Sequence, residues 1–140
     1  MRLFITLAFI LTNFASQADL KVIRQLFSKI NVDLSSNEKL IELTKSAELK
    51  SDPVLYAYNG AGIMSMANHV YWPGTKLSYF NDGKEKLEKA VNFDLLNVEI
   101  RFIRFSIQKG SPAMLGYNGN LEEDKLFILE HINSAKWTDT

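Results

Sequence analysis

DPVLYAYNGAGIMSMANH, residues 52–69, is the stretch on which the fold turns. Asp52-Pro53 is a helix start: the aspartate can accept free backbone N–H groups, and proline fits the first helical position. The residues that follow include Ala57, Gly60, Ala61, Gly62 and Ala67. A glycine inside a helix costs roughly 1 kcal/mol relative to alanine. Two glycines are tolerated where they let another helix approach closely. Tyr56, Gly60, Ile63 and Ala67 fall on one stripe at helical spacing, so a narrow, intimate contact face is expected on a helix reaching about His69.

Downstream, Val70-Tyr71-Trp72-Pro73-Gly74 reads as a break, because Pro73 restrains Trp72 away from helical geometry. A fourth helix is expected from about Lys76 to Asn92, with Phe80, Gly83, Leu87 and Ala90 as its apolar stripe. Its other face carries Asp82, Lys84, Glu85, Lys86, Glu88 and Lys89. Asp82 with Lys86 and Glu85 with Lys89 are acid-before-base pairs, each worth roughly 0.2–0.5 kcal/mol. That face reads as solvated.

The flanking sequence is helical in the same way. Leu20, Ile23, Phe27 and Ile30 predict a first helix, and Asn31 to Ser36 a turn. Ser35 and Glu38 have the spacing of a capping box before a second helix with Leu40, Leu43 and Ala47 on one face. Asp94 can cap a fifth helix, LLNVEIRFIRFSIQK, which ends near Gly110 and Ser111-Pro112. A glycine-rich loop reaches Gly119. Asn120 and Glu123 then open a last helix, Leu121 to about Asn133, with the apolar run Leu126-Phe127-Ile128-Leu129. No segment reads as a strand. The expectation is an all-α fold of about six helices in antiparallel hairpins, one domain over residues 19–133, with a flexible tail at 134–140.

The first eighteen residues, MRLFITLAFILTNFASQA, read as a cleaved signal peptide. Arg2 supplies the positive start, Leu3 to Phe14 the apolar run, and Ser16-Gln17-Ala18 the small-residue site before Asp19. The run is shorter than the ~20 apolar residues a bilayer crossing needs, and no later segment approaches one. The expected location is therefore the periplasm or the extracellular space. The chain has no cysteine, so helix packing rather than disulfides must hold it. Lys and Arg number 16 against 16 Asp and Glu, and losing Arg2 leaves one net negative charge. A near-neutral chain of mixed signs argues against general nucleic-acid binding, which needs a concentrated basic surface.

GKEKLEKAVNFDLLN, residues 83–97, resembles the second helix and exit turn of a tetratricopeptide-type repeat. Gly83, Leu87, Ala90 and Asp94 occupy the repeat's small, large, alanine and turn positions, with Leu95 where proline is usual. LYAYNGAG, residues 55–62, resembles a repeat's first helix, although the connection through Tyr71 to Thr75 is longer than a standard repeat has. The resemblance implies a tetratricopeptide-like central hairpin. Through LYAYNGAG, KLSYF, KLEKAV, NVEIRFIRFSIQ and LGYNGNLEEDKLFIL, the chain is also similar to a group of small exported proteins of Bacteroidota-type bacteria. That similarity implies a helical fold and carries no activity with it.

Reactive chemistry is sparse. His69 and His131 are the only histidines, and neither has a partner at metal-ligand spacing, so no metal or cofactor is expected. No serine sits in a GxSxG elbow. Glu122, Glu123 and Asp124 lie in a helix's first turn, where negative charge is stabilising. Gly116, Gly119 and Asn120 precede that helix, but the acids after them would repel phosphate.

Arg101 and Arg104 stand one turn apart among Phe102, Ile103, Phe105 and Ile107. They read either as a clamp for a carboxylate or phosphate, or as partners of Glu99 or the acidic start of the last helix; the second is favoured, since buried charges need partners. Tyr71-Trp72 is either an exposed contact patch or a lid over the bundle. The leading expectation is a non-enzymatic interaction or structural module with a protein partner, binding through Tyr71 and Trp72 with Arg101 and Arg104. The alternatives are a carrier of a small amphiphile and an enzyme without a familiar motif.

Overall fold

The computed structural model describes residues 20–133, so the expected signal peptide at 1–18 and the tail at 134–140 lie outside the described residues. Among these, the structure is all-α: helix α1 at 20–27, α2 at Leu34–Thr44, α3 at Pro53–Ser65, α4 at Pro73–Phe93, α5 at Val98–Gly110 and α6 at Leu121–His131. Two single 3-10 turns, Met66–Asn68 and Ala113–Leu115, extend α3 and follow α5. No strand occurs among the described residues.

The small residues of α3 act as expected, but on two neighbours rather than one. Gly60 faces α4: a Cβ there would lie 2.9 Å from the Gly83 carbonyl oxygen and 2.9 Å from the Leu87 nitrogen. Gly62 faces α2, where a Cβ would lie 2.9 Å from Ile41 Cγ1. The consequence is a correction to the narrow stripe. Residues 57–62 are buried without a break, whereas Tyr56, Ile63 and Ala67 are only partly covered. With α2, α4 and α5 packed around it, α3 is the central helix. Its Ala57, Tyr58, Ala61 and Met64 meet Leu40, Leu87, Ala90, Val91, Ile100 and Ile103 in one core.

Contacts between α3 and α4 run in opposite senses. Lys86 Nζ lies 4.7 Å from the Tyr56 ring centre, while Met64 packs on Gly83 one turn before Lys86. The two helices are therefore antiparallel. The expected α4 stripe of Phe80, Gly83, Leu87 and Ala90 is buried against α3. The opposite face departs from expectation in two places. Glu85 and Lys89 pair, but Lys86 turns to Asn59 Oδ1 on α3 instead of Asp82, and Glu88 joins the ion network described below. Burial lowers the Lys86 pKa.

Three helix starts differ from the sequence reading. Asp33, not Ser35, caps α2, accepting from the Ser35 and Ser36 backbone N–H groups at 3.2 Å each. Asn97, not Asp94, caps α5, accepting from Ile100 N at 3.1 Å. Asp94 instead ends α4 and accepts a bond from the Asn97 side chain. The break before Pro73 is present, with Trp72 extended, but α4 opens at Pro73 itself rather than at about Lys76, because a missing N–H costs nothing at the first helical position. Asp52 does stand at the start of α3 as expected, although its side chain makes no capping bond.

Helix α5 buries two adjoining faces. Ile100, Ile103 and Ile107 enter the core, while Arg101, Arg104 and Gln108 are buried toward α6. On α6, only Asp124 and Ile128 are buried; Leu126 and Leu129 of the apolar run face solvent.

Candidate functional site

The arginine pair of α5 lies inside the protein. Arg101 and Arg104 are each 5% exposed, and Asp124 of α6 is fully covered between them. Arg104 donates from Nε to Asp124 Oδ2 at 2.7 Å, from Nη2 to Asp124 Oδ1 at 2.8 Å, and from Nη1 to Glu88 Oε2 at 3.1 Å. Arg101 donates from Nε to Asp124, from Nη2 to Glu123 Oε1 at 2.8 Å and from Nη1 to the Leu95 carbonyl at 3.2 Å. Its guanidinium also lies 4.5 Å from the Phe127 ring centre. Tyr117 donates to the other Glu88 oxygen. Gln108 and Asn120 close the end of the network with two bonds, at 3.0 and 3.1 Å.

Every guanidinium nitrogen in this network is engaged, so no fork is open to a carboxylate or phosphate. The arrangement is the pairing reading, with α6 and Glu88 as partners. Glu99 serves elsewhere, accepting from Arg24 Nε and Nη2 at 2.8 Å and from the Tyr58 hydroxyl at 2.7 Å. Burial alone would lower the Arg104 pKa, but the bonds and charges of Asp124 and Glu88 hold it above the usual guanidinium value. Burial and the Glu88 carboxylate push the Tyr117 phenol well up.

Tyr71 and Trp72 lie apart from that interior pair, on the surface. They are 93% and 76% exposed, so they form no lid over the bundle. Trp72 is the last extended residue before α4. The next residue, Pro73, borders the feature that the sequence did not announce.

That feature is a half-open cleft of about 430 Å³ between the end of α3, the start of α4 and the α5–α6 connection. Met64, Leu77, Phe80, Ile107, Met114 and Leu115 supply its apolar wall. Pro112 follows the end of α5, and a 3-10 turn carries Met114 and Leu115 over the end of the bundle. Gly116 then reverses the chain at φ 64°, a left-handed conformation that glycine adopts without strain. Asn31, exposed at the edge of the cleft, ties the α1–α2 turn to the end of α3. Its Oδ1 accepts from Ser65 Oγ and from Asn68 Nδ2, each at 3.1 Å. His69 Nε2 lies 2.7 Å from the Ile30 carbonyl beside it. Lys76 is the one charged residue that lines the cleft among the described residues.

A second depression of about 340 Å³ lies between α1 and α5, beside Arg24 and Tyr58, and meets the first at Asn31 and Ile107. His131 is far from a constellation of ligands: its Nδ1 bonds the Phe127 carbonyl at 2.8 Å and its ring stacks on Phe127. Among the described residues, no group of three or more His, Cys, Asp or Glu is set to hold a metal ion. Likewise, no helix among them is long and apolar enough to cross a membrane.

Sequence reasoning missed the cleft because the end of α3, the start of α4 and the α5–α6 connection build it together. Met64 and Phe80 were legible as apolar, but nothing local reveals that Met114 and Leu115 come to line the same cleft. Compared with known proteins, the chain matches no family model, no curated protein and no solved structure.

Proposed function

We propose that this chain is a non-enzymatic binding module that carries a small amphiphile in the cleft at the Met114 end. The single observation that supports this reading is the cleft itself. Its volume, about 430 Å³, falls within the roughly 300–1,000 Å³ typical of small-molecule sites. Its wall is methionine, leucine and phenylalanine, with Asn31, Ser65, Asn68 and Lys76 as the few polar groups. Methionine adapts its shape to the ligand it meets, which suits a carrier. The ionisable groups of the interior saturate one another, so they offer no base or nucleophile to a substrate.

The test is titration with an apolar fluorophore such as N-phenylnaphthylamine. Leu77→Asp and Met114→Asp are expected to weaken binding by about tenfold or more, since each sets a charge in an apolar wall. Leu129→Asp, on exposed α6, is the control and should bind normally. Equal binding by all four proteins would overturn the reading.

A second reading is a protein-interaction module, favoured by the exposure of Tyr71 and Trp72. Large aromatic side chains are the usual energetic centres of protein interfaces. Trp72→Ala would then cost any recovered protein partner at least about tenfold in affinity.

We also propose that the module works in the periplasm or outside the cell, on the signal-like grammar of residues 1–18; a purified product that begins at Asp19 would support this. The α3–α4 pair is proposed to be a tetratricopeptide-like hairpin. Its support is the antiparallel packing in which Gly83, Leu87 and Ala90 all turn toward α3.

A further inference from the structure

We propose that the cleft selects amphiphiles with an anionic head, held where α4 begins. This rests on the carrier reading and adds the chemistry of the head group. Three observations place positive potential at that rim. Lys76 lines the cleft, is exposed, and has no ion-pair partner among the described residues. No carboxylate lines the cleft with it. The first turn of α4 holds no acidic side chain, so nothing on that turn offsets the Lys76 charge.

The ligand body follows from the volume. At about 30 Å³ for each water-sized group, 430 Å³ takes on the order of a dozen non-hydrogen atoms. That suits one medium acyl chain rather than the two chains of a bilayer lipid. Asn31 adds an exposed polar group at the edge: its Oδ1 is occupied by Ser65 and Asn68, while its amide nitrogen makes no hydrogen bond among the described residues. The site thus joins an apolar slot to a cationic rim. A single-chain carboxylate or monoacyl phosphate complements both.

Calorimetric titration of the purified chain with three monomeric probes tests this: dodecanoate, dodecyltrimethylammonium and the uncharged dodecyl maltoside. Dodecanoate should bind about fivefold tighter than the cation, the upper size of an exposed ion pair. Lys76→Gln should shrink that ratio and Lys76→Glu should reverse it, with maltoside affinity unchanged in both. Lys76 is exposed, so both variants keep the fold. A ratio that Lys76→Glu leaves unchanged overturns the head-group inference. Equal binding of all three probes overturns it too, yet leaves the carrier reading standing; binding of none removes both. Sedimentation with phosphatidylglycerol vesicles without binding of monomeric dodecanoate would also overturn it, by showing a surface effect.

Discussion

Asp124 accepts from Arg104 through both carboxylate oxygens, at 2.7 and 2.8 Å, with no part of the aspartate open to water. Arg101 shares one of those oxygens. Two guanidinium groups on α5 thus converge on one carboxylate of α6, and Glu88 of α4 and Glu123 supply the remaining negative charge. Three helices are tied where the hydrophobic core ends.

Asp124→Ala should therefore be among the most damaging single changes. Breaking a buried pair leaves uncompensated charge behind, at a cost of about 3–5 kcal/mol. Urea denaturation is expected to show a lower midpoint with a similar slope. Glu123→Ala, whose side chain is largely exposed, should cost less than about 1 kcal/mol. Similar midpoints for the two variants would contradict the network's geometry.

The crossing of α3 and α4 gives a graded series. Gly83→Ala would press a methyl into the Gly60 carbonyl and the Met64 backbone, which cannot yield without parting the helices. A loss of about 1–3 kcal/mol or more is expected from such overpacking. Gly62→Ala meets the side chains of Ile41 and Leu40, which can shift, so its cost should be smaller. Gly74→Ala meets open space and should stabilise by about 0.5 kcal/mol through helix propensity. The order of the three urea midpoints checks the packing.

Base should unfold the protein through Tyr58 and Tyr117. Burial, first of all, raises both phenol pKa values, and the neighbouring Glu99 and Glu88 raise them further. In the unfolded chain each ionises near pH ~10. Below that pH their contribution is fully present. Above it the unfolded state binds fewer protons than the folded one, so stability falls by up to about 1.4 kcal/mol per pH unit for each tyrosine. Tyr58→Phe and Tyr117→Phe should each flatten that slope, followed by denaturation at several alkaline pH values.

Asn37 is fully buried on α2, and neither its Oδ1 nor its Nδ2 has a hydrogen-bond partner among the described residues. An uncompensated buried amide costs about 1–3 kcal/mol. Asn37→Leu, close in volume, should raise the urea midpoint. A lower midpoint would mean that the amide is held by more than packing.

How much of this was legible depended on the range of the interaction. Helix identity is local, and the spacing of Phe80, Gly83, Leu87 and Ala90 predicted the buried face of α4 correctly. Caps are local too, but Asp33, Ser35 and Ser36 all compete for one helix start. Only the packing of α2 selects among them. Burial of the arginine pair was expected because charges among phenylalanine and isoleucine need partners. The acidic start of α6 was one of the two partners read, and Asp124 belongs to it; Glu88 was not read, since its role depends on how α4 crosses α5. The cleft was the least legible, because Asn31, Lys76 and Met114 come from three distant parts of the chain.

Met64 and Ser65 belong to the cleft and also to α3, around which the other helices pack. Ligand occupancy therefore cannot be a local affair at the rim: whatever fills the slot braces the central helix and delays melting of the whole domain. Saturation at a hundredfold excess over Kd corresponds to about 2.7 kcal/mol. Thermal shift across a library of natural amphiphiles would thus test the proposed carrier role directly.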